Sequence, residues 1–249
     1  MKNIMIEIEY DGTNYSGWQI QQNTSRTIQE EIMKALKKLA GKEVLINGAG
    51  RTDAGVHAYG QVASFILERN IPVDRLPLAM NSNLPEDITI VNAREVPMDF
   101  HARYSAIGKR YIYHIYENRY RSSLLRNYSY HVRYDLDHNK MREAAKVLLG
   151  THDFRGFMSK GSSVENTIRT IHKLDLISKD NSLYIHIEGD GFLYNMVRII
   201  TGTLVKIGAG NMPVDQIKKV LESGDRILAG PKAPPEGLFL DKVFYPLTH

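Results

Sequence analysis

The chain has 249 residues, 43% of them hydrophobic and 24% charged, with a formal net charge of +4 and no cysteine. That length can bury a sizeable core, as one large domain or two of ordinary size. The missing thiols exclude disulfides, thiolate nucleophiles and Cys-ligated metal, and no apolar run approaches the ~20 residues of a membrane span.

Residues 4–10 alternate as a strand, and the chain starts without a basic segment leading into an apolar one, so no secretory leader is expected. With the lack of cysteine this favours the cytoplasm. Asp11-Gly-Thr-Asn reads as a turn. The single tryptophan, Trp18, follows and reads as a core anchor. Thr27 to Ala40 is an amphipathic helix with Ile28, Ile32, Ala35, Leu36 and Leu39 on one face. Thr27 and Glu30 fit a capping box, and Gly41 a C-terminal stop.

A β-like run at Val44-Leu-Ile precedes Gly48-Ala-Gly-Arg-Thr-Asp-Ala-Gly-Val-His57, and another, Gln61 to Ile66, follows it. Ten residues thus hold three glycines, Arg51, Asp53 and His57. Glycine lets a backbone or a ligand come close, so a lone carboxylate here suits a catalytic site carried on a scaffold. An ordinary hairpin with an Asx turn at Asp53 accounts for the loop equally well.

Pro72 to Asn81 is a short helix, Asp87 to Val96 a strand, and Met98 to Ala106 a connection, which sets a domain boundary near residue 100. The halves are then 1–100 and 101–249. In the second half, Arg110 to Tyr116 is a strand and His138 to Leu149 a helix. Ile168 to Leu176 and Leu183 to Glu188 are strands joined by the turn Lys179-Asp-Asn-Ser. Asp190 leads into a helix, Met212 to Glu222 forms another, and Gly237 to Tyr245 is the last strand. Both halves read as α+β. They suit two ferredoxin-like units whose mostly antiparallel sheets merge, flanked by helices, with the active-site cleft between the halves.

From His101 to Tyr134 there are seven Lys/Arg and one Glu, and eight of the fourteen tyrosines. Cations bind phosphates and aromatic faces stack on unpaired bases, so this window points to nucleic acid. Its candidate phosphate contacts are Arg103, Arg110, Arg119, Arg121 and Arg126. The plainer reading is a strand region with tyrosines in the core and arginines facing water.

Nucleotide-binding and zinc-protease motifs are absent, and the glycines do not fit G-x-G-x-x-G. Asp53 and His57, four apart, would share a metal only on a helix, which this stretch does not resemble. No metal and no cofactor is expected. A desolvated aspartate needs a cation to stay ionised. Arg51 is near in sequence, and Arg198, among apolar neighbours, itself needs an acid such as Asp53, Glu188 or Asp190.

Five stretches, in order from residue 10 to 240, resemble the tRNA pseudouridine synthase A family. They are Tyr10 to Gln21, Gly50-Arg-Thr-Asp-Ala-Gly-Val-His-Ala, Lys109-Arg-Tyr-Ile-Tyr, Gly191-Phe-Leu-Tyr-Asn-Met-Val-Arg and Ala233-Pro-Pro-Glu-Gly-Leu-Phe-Leu. The resemblance implies isomerisation of uridine to pseudouridine at nucleotides 38 to 40 of the tRNA anticodon arm, without cofactor, by a homodimer. It makes Asp53 the catalytic aspartate, Tyr111 the ring stacked on the uracil and Arg198 the cation paired with Asp53. Arg51 would hold the flipped nucleotide and Leu238 line the pocket. Asp53 either attacks C1′ or takes the C2′ proton; the sequence does not choose. A non-catalytic RNA-binding protein of the same fold, or an unrelated hydrolase using Asp53, are the competing readings.

Overall fold

A computed structural model describes residues 1–21, 26–161 and 164–246. The chain divides into two compact units, one of residues 1–107 with 239–249 and one of residues 108–238. The boundary expected near residue 100 falls inside the connection that ends the first unit, and the closing strand lies with the first unit.

In the first unit, β1 (Lys2–Tyr10) is central. It runs antiparallel to β3 (His57–Leu67) on one side and β4 (Ile88–Val96) on the other. A two-residue β2 (Asn47–Gly48) pairs antiparallel with β3 at Ser64 and Ala63. The order β4-β1-β3-β2, with a helix before β2 and another before β4, is the ferredoxin-like arrangement.

Helix α1 (Ile28–Ala40) forms where its caps dictate. The Thr27 side chain accepts from Glu30 N, and Gly41 closes the helix with φ of 76°. Such a cap contributes about 1 kcal/mol. Ile28, Ile32, Ala35 and Leu36 are buried, while Leu39 is only half-buried. Helix α2 (Leu76–Asn81) is preceded by a 3-10 turn over Val73–Arg75, so the expected helix from Pro72 is two pieces. The expected strand at Val44 to Ile46 does not form. Val44 and Ile46 turn inward and Leu45 outward, an extended alternation without ladder bonds, and pairing starts only at Asn47.

In the second unit, β5 (Gly108–Glu117) pairs with a short parallel β6 (Tyr130–Val132) and, antiparallel, with the hairpin strand β9 (Ser182–Gly189). Next come β8 (Ile168–Lys179) and β7 (Gly150–Asp153), giving β5-β9-β8-β7. The β8–β9 turn needs a left-handed residue, supplied by Asp180 at φ 52°. Helix α3 (His138–Lys146) stops three residues before the expected Leu149. Helix α4 (Met196–Gly208) is buried on nearly every side, Lys206 excepted. Helix α5 (Gln216–Ser223) begins after the Pro213 turn rather than at Met212.

The last strand, β10 (Leu238–Phe244), carries the chain back to the first unit, where Phe239 and Leu240 run parallel to His57 and Ala58 of β3. Among the described residues no helix is long and apolar enough to cross a membrane.

Candidate active-site residues

The Gly48–His57 loop is held backbone group by backbone group. Ala49 N donates to Val62 O at 2.7 Å and the Gln61 amide donates to Gly50 O at 3.0 Å. Trp18 N donates to Thr52 O at 3.1 Å, and Val56 N closes a turn onto Asp53 O at 3.1 Å. Gly55, left-handed at φ 76°, donates to Tyr15 O. The Thr52 hydroxyl meets Tyr10 OH at 2.7 Å, both buried. Burial drives the Tyr10 hydroxyl well above its ordinary pKa, with the Thr52 bond a smaller opposing effect.

The segment Gly12–Trp18 presses on this loop so closely that only glycine fits at two positions. A Cβ on Gly12 would lie 2.0 Å from Val56 O, and one on Gly17, at φ 95°, would lie 2.6 Å from Thr52 O. A third glycine, Gly48, lies beneath Trp18, with an added Cβ 2.4 Å from the indole nitrogen. Trp18 is therefore the core anchor its sequence position suggests. The same segment is tied outward. Tyr15 OH donates to Asp87, and the Arg26 guanidinium sits 4.5 Å over the Tyr15 ring.

Side chains along the loop alternate. Arg51 is exposed, Thr52 buried and Asp53 half-exposed. Its backbone is fixed on both sides, so the Asp53 carboxylate is delivered from a rigid support, as precise chemistry requires. His57 is not a loop residue. It opens β3, is buried, accepts from Gly12 N at Nδ1 (3.1 Å) and stacks on Phe239 at 4.7 Å.

In the second unit, Arg198 lies on α4 and is 6% exposed. Its Nε donates to Ala233 O at 2.8 Å and a terminal nitrogen donates to Asn195 Oδ1 at 3.1 Å. These two acceptors are carbonyl oxygens that orient the guanidinium. Asn195 itself is left-handed, at φ 62°, and donates to Ser159 Oγ. That conformation costs a non-glycine residue free energy, and it sets the side chain between Ser159 and Arg198.

Tyr111 is on β5, 8% exposed, with its ring edge-on to Phe192 at 5.2 Å. Two residues on, Tyr113 points the same way and is fully buried, its hydroxyl donating to Pro234 O at 2.7 Å. Burial chiefly raises the Tyr113 pKa well above 10.0. A strap over residues 229–238 collects these groups. Ala233 receives Arg198, Pro234 receives Tyr113, and Gly237 lies where a Cβ would come within 2.8 Å of the Tyr113 ring. The strap lies on α4 where the helix is smallest, because Gly202 has no room for a Cβ (1.8 Å from Pro231 O). Leu238, at the strap's end, is buried.

The tyrosine-rich window splits between its two readings. Tyr113 is fully buried in the core and Tyr111 keeps 8% exposure, whereas Tyr104, Tyr120, Tyr128 and Tyr134 are exposed. Arg103, Arg119, Arg121 and Arg126 are exposed and Arg110 half-buried. Arg121 and Arg126, with Ser122 and Ser123, line an open pocket of about 340 Å³. Tyr10, Gly12, Gly17, Thr52, Tyr113 and Asn195 escaped the sequence reading as site residues. For Gly12 and Gly17 the signal was their clustering beside the lone Trp, and for Asn195 its place before a helix.

Such a locked carboxylate loop and strapped arginine are carried on a recognisable sequence. The profile of the tRNA pseudouridine synthase family matches residues 6–105 and 144–246, and the chain belongs to that family. It is 52% identical over 245 residues to the tRNA pseudouridine synthase A of Acetivibrio thermocellus, covering 98% of this chain and all of that one. It is 50% identical over 245 residues to the protein of that name from a Thermoanaerobacter species, with the same coverage. The protein so named from Ruminiclostridium cellulolyticum is 48% identical over 246 residues, again with that coverage.

Proposed function

We propose that this chain isomerises uridine to pseudouridine at nucleotides 38, 39 and 40 of the tRNA anticodon stem-loop, with Asp53 as the catalytic carboxylate. The observation that carries the reading is the Asp53 loop, a half-exposed carboxylate on a backbone bonded at nearly every step, within the stretch the family profile matches.

The reaction breaks the N1–C1′ bond, turns the uracil and joins C5 to C1′; the C5 proton leaves and N1 gains one. No electrons are exchanged with an outside partner. The target nucleotide must first leave its stack. Asp53 either adds to C1′ and is displaced by C5, or takes the C2′ proton to open a route through a glycal. Tyr111 stacks on the uracil, and Arg198 serves as the cation for Asp53. Arg51, exposed on the same loop, holds the flipped nucleotide, and Leu238 contributes an apolar wall. Arg103, Arg110, Arg119, Arg121 and Arg126 bind phosphates. The enzyme works as a homodimer in the cytoplasm.

The test is pseudouridine mapping on tRNA transcripts that carry uridine at one of the three positions at a time. Wild type converts each, and Asp53→Asn converts none while keeping its tRNA affinity. Turnover by Asp53→Asn at the wild-type rate overturns the assignment.

A further inference from the structure

The connection between β4 and β5 contains a turn, His101 to Ser105, that is built more firmly than a linker requires. Ala102 is its root. Ala102 N donates to the buried Ser64 Oγ at 3.1 Å, and Tyr245 OH donates to Ala102 O at 2.7 Å. Ser105 N donates to His101 O, and His101 N donates to Ser105 Oγ. The chain just before is tied too, with the buried Asn3 amide donating to Pro97 O and Phe100 O.

The turn presents three side chains outward. Tyr104 is 76% exposed, the most exposed aromatic side chain among the described residues. It is nonetheless supported, with its ring 4.4 Å from the His101 ring at 35° and the Arg103 guanidinium 5.7 Å from its centroid. The His101 ring is itself set by its backbone. Nδ1 accepts from Arg103 N at 3.1 Å and from Tyr104 N at 3.4 Å, so in the neutral ring the proton is on Nε2. The folded state gains little from an aromatic ring left in water. A supported ring beside a cation and an N–H donor matches one ligand chemistry, an unpaired nucleotide. The base stacks on the ring, and the phosphate meets Arg103.

We propose that Tyr104, backed by His101 and flanked by Arg103, is a stacking platform for an unpaired nucleotide of the RNA substrate, separate from the nucleotide undergoing isomerisation. The inference rests on the proposed synthase reading and adds a binding subsite to it. The platform binds and does not react, so its loss acts on KM and leaves kcat in place.

Three variants test it on an unmodified tRNA transcript. Tyr104→Ala should raise KM roughly 5- to 100-fold, the range for losing one base stack, with kcat within about twofold of wild type. Tyr104→Phe should restore KM, because a ring face suffices. In Tyr104→Trp, fluorescence should be quenched on adding an anticodon stem-loop RNA, beyond any change from the buried Trp18 in wild type. An unchanged KM in Tyr104→Ala, or no additional quenching in Tyr104→Trp, overturns the platform. Altered sedimentation of Tyr104→Ala with KM unmoved also overturns it, making the face a contact between copies of the chain. These failures are distinct from failure of the synthase reading, which would show as absence of pseudouridine with the wild-type protein.

Discussion

The loop that carries Asp53 and the segment from Asn118 to Ser129 both read from the sequence as places where function could sit, yet they are held in opposite ways. Around Asp53, bonds come from distant parts of the chain. Tyr10, Tyr15, Trp18, Gln61 and Val62 each grip it. Between Asn118 and Ser129 the bonds are local. Tyr120 N donates to Asn118 Oδ1, Leu125 N to Ser122 Oγ, and Ser129 Oγ to Leu125 O. The segment's ends are tied to the sheet, where His131 bonds Asn118 O and His114 bonds Tyr128 O. A carboxylate that must meet one atom cannot tolerate about 1 Å of error. A cation that attracts a phosphate acts over a screening length of about 8–10 Å and can move. The difference in support follows the difference in range.

Gly17→Ala tests the contrast most severely. The new Cβ meets Thr52 O at a backbone that disfavours side chains, so kcat should fall at least roughly 100-fold with far-UV circular dichroism preserved. Full activity would mean that the grip on the loop is dispensable. Thr52→Val keeps the shape and removes the hydroxyl facing Tyr10. Urea unfolding should show a loss of about 1–3 kcal/mol, and Thr52→Ser should recover most of it. No loss in Thr52→Val would detach this bond from loop stability.

For the basic segment the effects are smaller and of another kind. Replacing Arg121 and Arg126 together by Ala should leave kcat unchanged and flatten the dependence of log Kd on log salt. The slope should drop by about 1 for each phosphate that the variant no longer neutralises. An unaltered slope removes these two arginines from the RNA surface.

The mildest test is pH. Burial chiefly holds His114 below its ordinary 6.5, with the bond to Tyr128 O opposing. The native state therefore prefers the neutral ring. The unfolded chain takes the proton first as pH falls through 6.5, so this contribution is complete above 6.5 and is lost below it. The urea midpoint should drop between pH 7.5 and 5.5, and less in His114→Gln. An equal drop in both would free the segment's root from this titration.

Local signals were legible wherever local physics decides. Thr27 and Gly41 bracket α1 because a hydroxyl and a left-handed glycine satisfy its ends. The alternation in β5 and β9 marks their buried faces. Val44 to Ile46 misled because extended alternation and pairing are separate things, and pairing needs a partner that the local sequence does not name. The tyrosine window misled by half because a tyrosine reads the same whether its ring fills a core, as Tyr113 does, or stands in water, as Tyr104 does.

The sequence alone determined the family, through five ordered stretches, and with it Asp53 as the residue of interest. It also determined the α+β character, since hydrophobic period and capping chemistry are written along the chain. Tertiary structure alone decided what holds Asp53 in place. Tyr10 meets Thr52 across 42 positions of chain, Gly12 meets His57 across 45, and Gly17 packs on Thr52. It also decided that Ala233 and Pro234 would orient Arg198 and Tyr113. The physical reason is that a hydrogen bond depends on angle and distance between groups, and for residues far apart in sequence those are fixed only once the sheets and helices have packed.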